Sequence, residues 1–168
     1  LRIEEELVKE LAEKFKLKVH LQASIKIIFD EIKEQKLSDG KTPRYNLKNQ
    51  DKYEKLLKDE NTKLSDLLHM SKILGDGLGF DILYPKIEDN GSISLLKVEV
   101  KSSFDGKNIY LSENERKQIL LSKDDKKFKI YLYIREKEPL DITEIVRNVL
   151  CENNNFSNIT AETWIINL

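Results

Sequence analysis

Asp81, Glu99 and Lys101 are the residues whose types and spacing could do chemistry together. In the stretch Lys97-Val98-Glu99-Val100-Lys101, the period of two of a strand sends Val98 and Val100 to one face, the core side, and Lys97, Glu99 and Lys101 to the other. Asp81 opens the strand-like stretch that precedes it, and Asn90-Gly91 between the two is a hairpin signal. Pairing symmetric about Asn90 sets Asp81 opposite Glu99, to within a slip of one or two residues. Two carboxylates and one ammonium then share a patch. Carboxylates that close repel unless a cation intervenes, and a hard ion such as magnesium or manganese suits oxygen donors. A lysine beside such an ion orients or deprotonates an attacking water, or neutralises charge growing on a phosphate. The set fits metal-assisted phosphodiester hydrolysis.

The elements that must position these groups change period half-way along the chain. Residues 3–15 carry Leu7, Val8, Leu11 and Phe15 at helical spacing, with acidic residues crowding the first turn where the helix dipole favours them. Ile25, Ile28, Phe29 and Ile32 mark a second helix over 23–35, and Asp39-Gly40 with Pro43 reads as a loop. Helices are expected at about 49–58 and 63–73, the latter with Leu64, Leu67, Leu68 and Met70 inward. Three of the six glycines, Gly75, Gly77 and Gly79, then fall within five residues. Their lack of side chains permits a sharp change from helix to strand and a close backbone approach, of DNA among others. They do not form a phosphate-binding glycine loop, which follows a strand and opens a helix; here the order is reversed.

After the glycines, residues 80–85 and 92–101 form the expected hairpin and 108–111 a short strand. A helix follows with Ser112 as N-cap and Glu115 as its capping-box partner. Then come a strand over 127–136, a helix over 141–150, an asparagine-rich loop over 151–158 and a final strand over 162–168. The fold class is α/β (α+β): a central mixed sheet flanked by helices, with an N-terminal helical region over 1–74 and a core over 75–168.

Four blocks in order, "HMSKILGDGLGFDILYP", "KVEVKSS", "IYLSENE" and "FKIYLYIR", resemble those of the DUF3883 (NO VEIN C-terminal) family, itself similar to Mrr-like restriction nucleases. Asp81 and Glu99-Val100-Lys101 match the D…E-x-K motif of the PD-(D/E)xK nuclease superfamily, with Gly79-Phe80 in place of its proline. The resemblance covers about residues 69–135. It implies a restriction-endonuclease-like core and a magnesium- or manganese-dependent DNA endonuclease of a restriction or defence system. Asp81, Glu99 and the Val100 carbonyl would hold the metal, and Lys101 would be the catalytic lysine. Glu115 falls in the third block, where it would orient Lys101 or a water, although capping by Ser112 also accounts for it. An accessory acid from an early helix is common in the superfamily; Glu6, Glu10 and Glu54 are the candidates. Tyr84 stands where the family usually has serine, and "KSS" replaces the more frequent "KTT" or "KGT"; neither change removes a catalytic group.

Composition limits the alternatives. Charged residues make up 35% of the 168, and the net charge of −1 argues against a uniformly basic coat. The distribution is uneven, with ten Lys/Arg against six Asp/Glu over 101–137 and one against five over 138–168. Lys123, Lys126, Lys127 and Lys129 in the basic stretch are either a solvated loop or contacts to a DNA backbone. Cys151 is the single cysteine, and His20 and His69 the only histidines, so a cysteine- or histidine-based metal site is disfavoured. The sequence lacks a long apolar run and a signal-peptide pattern, which points to the cytoplasm and away from membranes. The start at Leu1 reads as a domain cut from a longer protein. Partners are then DNA, a second copy of the chain, or a fused or associated ATPase or helicase. The competing expectation is a nuclease-like fold retained as a non-catalytic DNA-binding or protein-interaction module.

Overall fold

Apolar spacing of three and four builds the first helices of the computed structural model, which describes residues 2–15, 21–103, 108–134, 137–152 and 163–168. Helix α1 (Arg2–Phe15) buries Leu7, Val8, Leu11 and Phe15. Helix α2 (Leu21–Glu34) buries Leu21, Ile25, Phe29 and Ile32. Helix α3 (Gln50–Lys58) buries Tyr53 and Leu57, and the Tyr53 ring tilts against Phe29 with centroids 4.9 Å apart.

The helix expected over 63–73 is two short ones, α4 (Leu64–Leu68) and α5 (Met70–Leu74), broken at His69, whose backbone leaves the helical region at φ −86 and ψ 68. The break has a hydrogen-bond cause. In a continuous helix the Leu67 carbonyl would accept the N–H of Ser71. Instead the Tyr53 hydroxyl donates to the Leu67 carbonyl at 2.6 Å, and the Ser71 N–H donates to the main-chain carbonyl of Asp81 at 3.1 Å. Both groups stay satisfied, so breaking the helix leaves no orphan there. Leu67, Leu68 and Met70 are buried as expected, and Leu64 is half-buried.

A 3₁₀ turn (Asp76–Leu78) carries the chain from α5 to the strands. The Gly77 position lies against the chain's own backbone: a Cβ built there would stand 2.3 Å from the Asn46 carbonyl oxygen. The segment that approaches is 46–48, where the Asn46 N–H donates to the Gly77 carbonyl and the Lys48 N–H to the Leu74 carbonyl. This internal crossing accounts for the close approach that the glycines suggested. Gly75 and Gly79 take positive φ, 82 and 75, on either side of the turn.

Strands β1 (Ile82–Ile87) and β2 (Ile93–Ser102) flank the hairpin turn, in which the Glu88 N–H donates to the Ser92 carbonyl and the Gly91 N–H to that of Glu88. The turn is centred on Asn90, as the sequence suggested. Asp81 lies one residue ahead of β1 rather than within it. The remaining elements are β3 (Asn108–Ser112), α6 (Glu113–Leu121), β4 (Phe128–Tyr133), β5 (Leu140–Asp141), α7 (Thr143–Glu152) and β6 (Thr163–Asn167).

The fold is α+β, with a mixed four-stranded sheet in the order β1-β2-β4-β5 flanked by helices. Strands β3 and β6 pair antiparallel in a sheet of their own, Tyr110 opposite Ile165 and Ile109 opposite Ile166. The helix expected from residue 141 begins at Thr143, because Leu140 and Asp141 pair antiparallel with β4 as β5. Most of the asparagine-rich loop, residues 153–158, lies outside the described residues, as do the last two residues of the strand expected over 127–136. Compactness divides the chain into two units inside β2, 1–97 and 98–168. No described helix is long and apolar enough to cross a membrane.

Candidate functional site

Strand β2 does not present a solvated face. Residues 95–100 are all buried, so the alternation that places Val98 and Val100 on one side leaves Glu99 on a second covered side. The side chains of Glu99 and Lys101 are only 5% and 11% exposed. A charge pair so placed is unlike an exposed strand pair worth under about 1 kcal/mol, because desolvation raises both the attraction and the penalty for breaking it.

Three charged groups meet here. The Lys101 Nζ stands 2.8 Å from Glu99 Oε1 and 2.9 Å from Glu115 Oε1. Glu115 arrives from the first turn of α6, and its position follows from local sequence. Ser112 takes an extended N-cap conformation, its hydroxyl accepts the Glu115 N–H at 3.2 Å, and Glu115 Oε2 accepts the Ser112 N–H at 2.7 Å. The sequence left Glu115 open between cap and site; one of its oxygens accepts the cap N–H and the other pairs with Lys101.

The electrostatics follow from this geometry. Burial pulls the Lys101 ammonium down, but the charges of Glu99 and Glu115 and its hydrogen bonds to them outweigh burial and hold it above the ordinary lysine range. Burial pushes the Glu115 carboxyl up, and the Lys101 charge, the Ser112 N–H and the hydrogen bond from Lys101 more than reverse this, leaving it below the usual value. The ammonium is thus the common partner of the two carboxylates, and the three side chains form one charge cluster. A lysine held this way stays charged at neutral pH; it can neutralise a phosphate or fix an oxygen, and it is a poor base.

Asp81 belongs to the first compact unit, half-buried, with its main-chain carbonyl held by Ser71. Glu99, Val100, Lys101 and Glu115 belong to the second. Of the early-helix candidates, Glu54 pairs with Lys33 at 2.7 Å, which lowers its carboxyl below the usual range. Among the described residues, no group of three or more His, Cys, Asp or Glu is arranged to hold a metal ion. By donor chemistry, the Glu99 carboxylate and the Val100 carbonyl are hard oxygens of the kind magnesium takes.

Of the expected DNA contacts, Lys123, Lys126 and Lys127 are exposed on the turn between α6 and β4. Lys129 lies on β4 and pairs with Asp141 at 3.2 Å, a contact inside the fold. Arg147 was not legible as part of this region. From α7 its Nη2 donates to the Ser122 carbonyl at 2.8 Å and the Asp125 carbonyl at 3.2 Å, 25 and 22 residues away in sequence. His69 is buried, and neither ring nitrogen is within hydrogen-bond distance of a partner; Glu4 Oε2 stands 3.6 Å from its Nε2, too far for a hydrogen bond. That is a packed core histidine.

No family model, curated protein or solved structure matches the chain.

Proposed function

We propose that the chain is a divalent-cation-dependent DNA endonuclease, the nuclease module of a restriction or defence protein. The observation that supports this reading most is the buried group of Glu99, Lys101 and Glu115, in which an ammonium is pinned between two carboxylates. Glu99 and the Val100 carbonyl hold magnesium or manganese in this reading, and Asp81 joins them on the sequence resemblance alone. The cation supplies charge neutralisation at the scissile phosphate. The chain's own part is carried by Lys101, whose fixed positive charge stabilises a phosphorane-like transition state, and by Glu115, which positions Lys101.

The test is cleavage of duplex DNA with magnesium by Glu99→Gln and Lys101→Ala. Loss of cleavage with folding and DNA binding retained is expected. Undiminished cleavage by both variants overturns the proposal.

A second reading draws on the same geometry. Lys101 already neutralises the carboxylates of Glu99 and Glu115, as a structural charge cluster in a non-catalytic DNA-binding or protein-interaction module would. Calorimetry with manganese separates the two: binding that Glu99→Gln removes favours the enzyme, and no binding favours the module.

A further inference from the structure

The turn after α6 is built more firmly than a solvated loop requires. Its Asp125 N–H donates to the Ser122 carbonyl at 2.9 Å, the Phe128 N–H to the Asp125 carbonyl at 3.1 Å, and the Lys127 N–H to Asp125 Oδ1 at 2.9 Å. Arg147 then closes it from α7 by donating to both the Ser122 and Asp125 carbonyls, while its Nη1 pairs with Glu144 at 3.2 Å. One of these carbonyls is at the C-terminal end of α6, where the helix dipole favours a cation.

The three lysines on this turn are left without such ties. Lys123, Lys126 and Lys127 are exposed and make no ion pair with a carboxylate among the described residues, in contrast to Lys129 next in sequence. Asp125 is half-buried and turned to the Lys127 amide, so Asp124 is the one exposed carboxylate among residues 123–127. A firmly hydrogen-bonded turn carrying unpaired ammoniums fits a polyanion whose charges are regularly spaced, since little backbone order remains to be imposed on binding and no internal ion pair has to be broken.

We infer that the Lys123–Lys127 turn is a preformed contact for the phosphate backbone of duplex DNA, and that Arg147 is the positioning residue that holds it. The inference deepens the nuclease reading, because the same helix links turn and site. Glu115 and Leu121 are six residues apart on α6, roughly 9 Å along the axis at 1.5 Å per residue, on the order of three base-pair steps at 3.4 Å each. The turn meets phosphates flanking the one presented to Lys101.

The experiment is binding of a short duplex by fluorescence anisotropy across a salt series in EDTA, so that cleavage does not enter. Combined Lys123→Ala, Lys126→Ala and Lys127→Ala replacement weakens binding by about tenfold or more at low salt and lowers the log-log salt slope by about 2 to 3, at about 0.9 per phosphate contact. Asp124→Asn tightens binding, which a merely structural turn would not do. Arg147→Met weakens binding with helicity unchanged by circular dichroism; should it fail to fold, the lysine and Asp124 variants decide the matter. Unchanged affinity and slope in the triple variant, no tightening by Asp124→Asn, or no duplex binding by the unmodified chain overturns the inference. A chain that binds through the turn and never cleaves leaves this inference standing and removes the nuclease reading.

Discussion

Lys101 and Glu115 tie strand β2 to helix α6: the ammonium stands 2.9 Å from one oxygen of the carboxylate, whose other oxygen accepts the N–H of Ser112. Helix capping and the charge cluster thus share a side chain. A change at Glu115 acts on the helix start and on the lysine together.

Glu115→Ala removes both bonds, and Glu115→Gln keeps an oxygen for the Ser112 N–H while losing the charge. The alanine variant is expected to lose about 1 to 3 kcal/mol, a capping loss of about 0.5 to 2 plus that of one partner of a largely buried cation. The glutamine variant is expected to lose less. Urea midpoints for both, with unchanged slopes, check the ordering.

Lys101→Met is the harsher change. It leaves Glu99 and Glu115 facing each other with no cation, and breaking a buried pair from one side costs about 3 to 5 kcal/mol. The Glu115 carboxyl, freed of the Lys101 charge, should rise towards or above its ordinary value of 4.5. Carboxyl chemical shifts of Glu115 followed through a pH titration in both proteins measure this directly.

The same pair predicts a pH window. Glu115 is lowered in the folded state, so its contribution is present above about pH 4.5 and is lost as pH falls below that. Lys101 is raised, so its contribution is present below about pH 10.5 and is lost as pH climbs past that through the raised folded value. Other lowered carboxyls, among them Glu54 and Asp141, also contribute to acid unfolding, so the difference between the wild-type chain and Lys101→Met is the quantity to follow. That difference should stay level between these limits and shrink outside them. Urea unfolding at a series of pH values tests it, and a difference that grows in acid would contradict the assignment.

Local signals were legible and long-range bonds were not. Asn90-Gly91 centred the hairpin, and Ser112 with Glu115 set the start of α6, because each is decided within a few residues. The period of two put Glu99 and Lys101 on one side of β2 but could not say that this side is covered too; the pair Leu95-Leu96, which breaks the alternation, was the one signal of a strand buried on both faces. The break at His69 was invisible, since it depends on the Tyr53 hydroxyl and the Asp81 carbonyl, and helical periodicity reads neither. Arg147 was missed likewise, its role being set by carbonyls at the far end of α6. The partition of β3 and β6 into a separate sheet is a matter of topology, for which strand propensity holds no information.

Tyr53→Phe tests the broken helix. The hydroxyl is deeply buried, burial raises its pKa so that it stays protonated, and it donates to the Leu67 carbonyl at 2.6 Å. Its removal leaves that carbonyl short of a donor and is expected to lower stability by about 1 to 2 kcal/mol. Amide exchange at Ser71, whose N–H reaches the Asp81 carbonyl across the same break, should quicken in step. Slow exchange at Ser71 in the variant would show that the break holds without Tyr53.

Gly77→Ala separates two accounts of the glycine cluster. If the glycines kept space for an external backbone, alanine at 77 would disturb ligand binding and spare the fold. The Asn46 carbonyl oxygen, 2.3 Å from a Cβ at this position, is main chain and cannot swing aside, so the variant must displace segment 46–48 and its hydrogen bonds to Gly77 and Leu74. A loss of about 1 to 3 kcal/mol is expected, the range of an overpacked core. Gly40→Ala is the control: its φ of 65 is strained for alanine but nothing lies within 4 Å, so the loss should be about 1 kcal/mol. Thermal unfolding of the two variants side by side reads the difference, and a loss at 77 no larger than that at 40 would mean that segment 46–48 yields to a methyl group at little cost.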